Sequence, residues 1–111
     1  MAEQAKRFTI AIIHRNGFEA LKFALDSILV DMAKNDEVII VDNNSTDNSI
    51  DKVEQDSVYR HVKIIKHACN AGYGFSCNQS MIQGNGEYFL LCNNDIELPL
   101  GSLASFENLF N

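Results

Sequence analysis

The sequence predicts an α/β fold, a doubly wound and mostly parallel sheet with helices on both faces. Apolar, β-branched runs alternate along the chain with segments whose apolar residues recur at helical spacing. The clearest run, at residues 38–41, shows no polar alternation, which is typical of a strand covered on both faces. Alternating strands and helices imply right-handed crossovers within one sheet. With 111 residues, we expect one domain at residues 1–111.

The first half of the chain predicts two strands around a helix. Residues 8–14 are apolar and β-branched, and the turn-prone pair Asn16-Gly17 ends this strand. Apolar residues at three- and four-residue steps predict a helix at 18–34. Residues 37–41 predict the second strand, which has Asp42 at its carboxyl end.

The second half repeats the alternation. The predicted elements are, in chain order, a short helix from Asp47 or Asn48 to Gln55, a strand at 62–66, a helix at 73–83, a fully buried strand at 88–92 and a helix at 100–110. At the helix predicted for 73–83, Ala71, Phe75, Asn78 and Ile82 share one face. Because a buried amide must be hydrogen-bonded, Asn78 either anchors a neighbouring loop or reaches a ligand.

The composition excludes several classes of function. A net charge of −6 and a sequence pI of about 4.8 repel polyanions, so nucleic acids are not expected partners. A small phosphorylated ligand stays open, because a divalent cation and helix N-termini supply positive potential locally. No run approaches the ~20 apolar residues of a membrane span, and we therefore expect a cytoplasmic protein without a membrane segment.

Two polar stretches that follow apolar runs mark a candidate ligand site, at residues 42–47 and 93–95. In a doubly wound sheet the loops after the strands share one edge, so residues 14–17 and 67–74 should face the same crevice. Asp95, flanked by amides, offers the oxygen ligands that Mg²⁺ or Mn²⁺ prefers, and such a site suits a diphosphate. The alternative is a solvated turn in which Asn and Asp act as turn formers.

Other chemistry has little support in the sequence. The Ser residues lie in loops and helix caps without an adjacent His, and the G-x-S-x-G pattern is absent. The P-loop pattern is also absent. Gly72-Tyr73-Gly74 lacks the third glycine and the strand-turn-helix placement of a dinucleotide fingerprint.

Three motifs in a fixed order resemble those of a known enzyme family. They are Asp42-Asn43-Asn44-Ser45-Thr46-Asp47, Asn70-Ala71-Gly72-Tyr73-Gly74 followed by Asn78, and Leu91-Cys92-Asn93-Asn94-Asp95 before Glu97. From Phe8 to about Pro99, the chain resembles the N-terminal, nucleotide-sugar-binding half of family 2 glycosyltransferases of the Rossmann-like GT-A fold. The similarity is greatest to bacterial rhamnosyltransferase-like enzymes of surface polysaccharide synthesis, in which Asn-x-Asp often replaces Asp-x-Asp.

The resemblance implies a function and a set of site residues. Such an enzyme transfers a sugar with inversion from a nucleotide-diphosphate donor, a UDP- or dTDP-sugar, to a saccharide or lipid-linked saccharide acceptor. Asp42 then contacts the pyrimidine base with help from the backbone near His14, and Asn44 lies in the same pocket. Asn93 and Asp95 hold the diphosphate and Mg²⁺ or Mn²⁺. The other positions implied in donor binding are Asn16, Asn70 and Asn78.

The chain departs from the family pattern at three points. Arg15 replaces the aromatic residue that commonly precedes the strand-one Asn, so a guanidinium plane stacks on the base or stacking is lost. Asn93 has no charge, so the cation depends on donor phosphates and binds poorly alone. The family's general base is expected beyond Asn111. We therefore expect a truncated chain that binds donor but lacks most or all transfer activity, with its full-length parent at the inner face of the cell membrane.

Two other classes of function stay open from the sequence. One is a non-catalytic α/β binding or interaction module, since a fold does not fix a function. The other is a receiver-type phospho-acceptor domain, which needs acids after strand one and an aspartate after strand three. His14-Arg15-Asn16 and His67-Ala68-Cys69 occupy those places and disfavour it. An exposed sheet edge or apolar face left by truncation would also favour a homodimer.

Overall fold

The computed structural model describes residues 7–110, which form a four-stranded sheet flanked by helices. The strands are β1 (Phe8–His14), β2 (Glu37–Asp42), β3 (Lys63–Lys66) and β4 (Tyr88–Asn93). The helices are α1 (Phe18–Asp31), α2 (Ser49–Gln55), α3 (Tyr73–Gln83) and α4 (Ser102–Phe110), with a 3₁₀ turn at Ser57–Tyr59. None of the helices described is long and apolar enough to cross a bilayer.

The strand order is β3-β2-β1-β4, and every neighbouring pair is parallel. β1 lies between β2 and β4, and each of its residues is buried. The register sets His14 opposite Asp42 and Ile13 opposite Asn93 at the carboxyl edge. The predicted parallel α/β sheet is therefore confirmed, and the ends of β1, β2 and β4 meet at one edge.

Helices cover both faces of the sheet, as a doubly wound arrangement requires. One apolar layer joins the sheet to α1, α2 and α4 and includes Ile10, Ile12, Ile40, Leu21, Leu25, Ile28, Ile50 and Leu103. The other layer joins the sheet to α3 and includes Ile13, Ile39, Val41 and Cys77. Full burial of one such side chain contributes about 1.5–3 kcal/mol to the stability of the fold. The two layers together therefore hold the strands in place, and with them the loops that follow the strands.

Most element ends agree closely with the sequence pattern, but two differ. α1 ends at Asp31 rather than at residue 34, because Met32 already has extended backbone. α4 begins at Ser102 rather than at residue 100. The carboxylate of Asp31 accepts the N–H groups of Gly101 and Leu103 at 2.6 and 2.8 Å, so it caps α4 from the end of α1. The pattern does not predict the 3₁₀ turn.

Two predictions about burial are wrong. β4 is not fully buried, because it is an edge strand of the sheet; three of its six residues are half-buried, and Leu91 is 37% exposed. The face of α3 that Phe75, Asn78 and Ile82 share was interpreted as a packed face, but it lies toward solvent, with Phe75 50% and Ile82 72% exposed and Asn78 also exposed. The buried residues of α3 are instead Ser76, Cys77 and Ser80. Their small side chains allow the helix to pack close to β1 and β2.

Candidate functional site

A cleft of about 290 Å³ opens at the carboxyl edge of the sheet. It lies where the ends of β1 and β4 meet the start of α3, which is where parallel sheets bind ligands. Its lining residues are Ile13, His14, Arg15, Asn43, Asn70, Tyr73, Asn93, Asn94 and Asp95. Of the residues expected in the site, the cleft brings together His14, Asn70, Asn93 and Asp95. It does not include Asn16, Asp42, Asn44 or Asn78 in its lining.

His14, at the end of β1, is fully buried at the floor of this cleft. Its Nε2 lies 2.7 Å from the hydroxyl of Ser49, and its Nδ1 lies 2.9 Å from Nδ2 of Asn94. Burial lowers the pKa of His14, although the carboxylates of Asp42 and Asp47 act in the opposite direction. The imidazole is therefore neutral at physiological pH, and its hydrogen bonds connect the end of β1 to the start of α2 and to the loop after β4.

Asn16 joins the loop after β1 to the loop after β2. Its backbone is left-handed at a φ of 59°, a conformation that Asn tolerates better than most residues. Its Oδ1 accepts the N–H groups of Thr46 and Asp47 at 2.8 and 3.2 Å, while its own N–H donates to the hydroxyl of Ser45 at 3.0 Å. In this structure, Asn16 thus holds the shape of the two loops.

Asp47 completes the same loop connection. Its carboxylate accepts the Ser49 hydroxyl at 2.5 Å and the Gly17 N–H at 2.7 Å. These hydrogen bonds, with that from Ser49 the largest contribution, lower the pKa of Asp47 to about 2. Gly17 has a φ of 102°, which suits glycine and sets the turn into α1.

Asp42 lies beside the cleft at the end of β2. It is buried, and its carboxylate accepts the hydroxyl of Ser45 at 2.5 Å and the Ser45 N–H at 3.3 Å. Its backbone carbonyl accepts the N–H of His67 at 2.9 Å, which ties the loop after β3 to β2. The next-but-one residue, Asn44, is exposed with a left-handed φ of 60°. Asp42 therefore ends β2 and Asn44 lies in the loop that follows, while Asn43 between them lines the cleft.

Asn43 is a site residue that sequence reasoning missed. It is buried, and its Oδ1 accepts the hydroxyl of Ser76 at 2.7 Å and lies 3.0 Å from Nδ1 of His67. Its N–H donates to the carbonyl of His14 at 2.8 Å. Asn43 thus joins β1, the loop after β3 and α3 beneath the cleft. The sequence did offer one signal for Asn43: an amide side chain that lies directly after a buried strand and before a second amide, Asn44.

The β4 loop presents the one carboxylate that lines the cleft among residues 7–110. Asn93 and Asp95 are exposed there, whereas Asn94 between them is half-buried against β1. Asn70 accepts the N–H of Gly72 with its Oδ1 at 3.1 Å, at the start of α3. Asn78 is exposed further along α3. The carboxylate of Asp95 and the amide oxygen of Asn93 are hard oxygen ligands of the kind that bind divalent cations.

The chemistry of these oxygen donors limits the kind of metal site that fits. Residues 7–110 contain no group of three or more His, Cys, Asp and Glu side chains placed to hold a metal ion. Asp95 and Asn93 supply one carboxylate and one amide to the lining of the cleft. Mg²⁺ and Mn²⁺ suit such a sparse set only when substrate phosphates and water complete the shell. The residues fit a cation that arrives with a phosphorylated ligand.

Two solved structures of larger proteins contain a region with the same fold as this chain. TarS 1–349 from S. aureus, in complex with UDP-GlcNAc, is similar with a TM-score of 0.83 and 25% identity, over 94% of this chain and 31% of that one. The mannosyltransferase PcManGT from Pyrobaculum calidifontis, with GDP-Man and Mn²⁺, has a TM-score of 0.77 and 20% identity, over 86% and 29%. The chain thus spans less than a third of the length of these two proteins.

Comparison at the level of sequence gives one match. Curated protein sequences yield none. The sequence profile described as Glycosyl transferase family 2 matches residues 9–110, which is nearly the whole chain. Together with the GT-A glycosyltransferase folds above, this match confirms the resemblance and the fold expected from the three motifs. The chain therefore belongs to glycosyl transferase family 2.

Proposed function

We propose that this chain binds the nucleotide-diphosphate end of a sugar donor, as the donor-binding part of an inverting glycosyltransferase. The observation that supports this best is the cleft at the carboxyl edge, where Asp95 and Asn93 face the end of β1 and the start of α3. In support, TarS 1–349 has been solved with UDP-GlcNAc and with UDP, and PcManGT with GDP-Man and Mn²⁺. The proposed donor is a UDP- or dTDP-sugar.

The diphosphate is proposed to lie between the β4 loop and α3. Tyr73 begins α3 and lines the cleft, so the first N–H groups of this helix provide positive potential beside the phosphates. Asp95 and Asn93 would hold Mg²⁺ or Mn²⁺ together with phosphate oxygens. When bound, the cation neutralises the diphosphate and supports its departure from the sugar. A chain with a net charge of −6 needs such a counter-charge to bind a dianion.

The pyrimidine is proposed to lie toward the β2 loop, next to Asp42 and Asn44. His14 and Arg15 both line the cleft, and His14 pairs with Asp42 in the register of β1 and β2. We also propose roles in donor binding for Asn16, Asn70 and Asn78, and the structural support differs between them. Asn70 lines the cleft, Asn16 shapes the loops around it, and Asn78 is exposed on α3 away from its lining.

The wider role is also a proposal. A saccharide or lipid-linked saccharide accepts the sugar, in bacterial surface polysaccharide synthesis on the cytoplasmic side of the membrane, where nucleotide sugars are the donors. Inversion requires a general base within hydrogen-bond reach of the attacking hydroxyl. Because Asp95 is the one carboxylate lining the cleft within residues 7–110 and is assigned to the cation, we propose donor binding rather than transfer as this chain's own activity.

Thermal unfolding with and without metal tests the proposal. UDP or dTDP at millimolar concentration with Mn²⁺ should raise the Tm, since a ligand at about 100 times its Kd stabilises by about 2.7 kcal/mol. UMP, which lacks the second phosphate, should give a smaller shift under the same conditions and serves as the matched control. An unchanged Tm with every nucleoside diphosphate tested would exclude donor binding and favour a non-catalytic binding module.

A further inference from the structure

We propose that Asn94 is a positioning residue, which fixes Asp95 and Asn93 against the end of β1 through the buried ring of His14. This inference rests on the proposed function, because it assigns the β4 loop its role in binding the cation and diphosphate. Asn94 lies between Asn93 and Asp95 and lines the cleft with them, but its side-chain amide is hydrogen-bonded to His14 and Asn16 at the end of β1.

Both hydrogens of the Asn94 amide are used. Nδ2 donates to Nδ1 of His14 at 2.9 Å and to the backbone carbonyl of Asn16 at 3.0 Å. The main-chain register between β1 and β4 ends where Ile13 faces Asn93. The amide of Asn94 therefore continues the attachment of β4 to β1 beyond the last paired residues, at the point where the loop would otherwise separate from the sheet.

The direction of these hydrogen bonds fixes the tautomer of His14. An amide NH₂ can only donate, so Nδ1 is the acceptor and Nε2 holds the ring hydrogen. Nε2 then donates to the hydroxyl of Ser49 at 2.7 Å, and that hydroxyl donates to the carboxylate of Asp47 at 2.5 Å. The hydrogen bonds thus run in one direction from the β4 loop, through β1, to the start of α2.

The burial of this network makes the position of Asn94 costly to change. His14 is 0% and Ser49 1% exposed, so neither polar group can exchange a lost partner for bulk water. Without the amide, Nδ1 of His14 loses its donor, and the loop loses two contacts directly beside Asp95. Outer partners of this kind typically contribute about 10–100-fold to metal affinity by orienting the residues that bind the ion.

The test compares Asn94→Leu, similar in shape but without donors, with the smaller Asn94→Ala. Asn85→Leu is the matched control, because Asn85 is exposed at the opposite end of β4. The first readout needs no ligand: amide hydrogen exchange at Asp95 should become faster in both Asn94 variants and stay unchanged in Asn85→Leu. The second readout is the ratio of the Kd for UDP without Mn²⁺ to the Kd with Mn²⁺.

This ratio should fall about tenfold or more in the Asn94 variants, while the Kd without Mn²⁺ changes little. A purely structural role would weaken both constants together and leave the ratio unchanged. Normal exchange at Asp95 with an unchanged ratio in both variants would overturn the inference. If the native chain binds no nucleotide, the proposed function fails, and the exchange rate at Asp95 alone then decides whether Asn94 positions the loop.

Discussion

The hydroxyl of Ser45 donates a 2.5 Å hydrogen bond to the carboxylate of Asp42, three residues earlier in the same loop. The Ser45 N–H donates to the same carboxylate at 3.3 Å. Asp42 therefore shapes the loop after β2, and we propose that its carboxylate also accepts a hydrogen bond from the base of the donor. An amide oxygen could accept the same two hydrogen bonds, so the loop shape and the charge of this residue can be separated by mutation.

Asp42→Asn should keep the fold but lower the preference for UDP over CDP by about tenfold or more, since a hydrogen bond to a charged group contributes roughly 1.5–3 kcal/mol. A carboxylate accepts the N3–H of uracil and repels the N3 lone pair of cytosine, whereas an amide suits both bases. Isothermal titration calorimetry with both nucleotides and Mn²⁺ measures the ratio. The same preference in native chain and variant would remove Asp42 from base recognition.

Asp95→Asn should abolish the Mn²⁺-dependent part of the UDP affinity and leave the metal-free Kd nearly unchanged. The variant removes the one carboxylate lining the cleft within residues 7–110, and an amide is a weaker ligand for a hard cation. Glu87→Gln, an exposed acid at the other end of β4, is the control for net charge. Calorimetry of Mn²⁺ alone should detect no tight binding; tight binding without nucleotide would contradict this assignment.

Acid should destabilise the native chain between about pH 4 and pH 2, in part through Asp47. Its pKa is lowered to about 2 when folded, against about 3.9 in an unfolded chain. A lowered pKa stabilises the folded state above the unfolded value, and that contribution is lost as pH falls through the folded value. Asp47→Asn should flatten this part of the profile of unfolding free energy against pH.

Asp51→Asn, on the exposed side of α2, is the control for the loss of one acid. It should keep the slope of the native chain between pH 4 and pH 2, because Asp51 takes no part in the Gly17 and Ser49 hydrogen bonds. Urea unfolding followed by circular dichroism at several pH values gives the profiles. Equal slopes for Asp47→Asn and the native chain would contradict the role of Asp47.

Gly86→Ala should destabilise the fold by about 1–3 kcal/mol, the usual cost of overpacking. Gly86 lies directly before β4, and a Cβ there would overlap the backbone nitrogen of Thr9 in the central strand. The Gly86 N–H also donates to the hydroxyl of Thr9 at 2.8 Å, which holds the segment before β4 close to β1. Urea unfolding measures the change.

Gly74→Ala is the matched control for this substitution. Gly74 lies within the first turn of α3, and no atom lies within 4 Å of an added Cβ. Alanine should stabilise the helix there by up to about 1 kcal/mol, because its helix propensity exceeds that of glycine. A loss of stability at Gly74 as large as that at Gly86 would show that the close contact with Thr9 is not the cause.

The sequence was sufficient to predict the strands, the parallel sheet and the edge at which the polar loops meet. These features follow from local patterns: apolar runs, helical spacing and turn residues. Burial in the third dimension was not predictable, because the apolar run of β4 does not reveal that it has a neighbour on one side only. On α3 the larger apolar side chains suggested the buried face, but small residues such as Ser76 and Cys77 pack against the sheet.

The different roles of the neighbouring amides Asn93 and Asn94 could not be predicted from the sequence either. Asn93 and Asn94 are chemically identical, and motif spacing favours Asn93 as the ligand. Which of their side chains bonds to β1 depends on where the backbone pairing of β4 ends and on the ring nitrogen of His14, a residue 80 positions away from Asn94. A contact of that separation leaves no trace in a local pattern. Asn43 illustrates the same limit, since its partners His67 and Ser76 come from later elements.

The central position of β1 has a consequence for the order of events during synthesis. The ribosome releases β1 first, but one of its two flanking strands, β4, emerges last among the four. Until then the backbone N–H and C=O groups along one edge of β1 have no strand partner, and the imidazole of His14 has only one of its two hydrogen bonds. Chaperone demand should therefore be highest while the segment between β2 and β4 is being translated, and ligand-binding competence should arise abruptly when β4 joins the sheet.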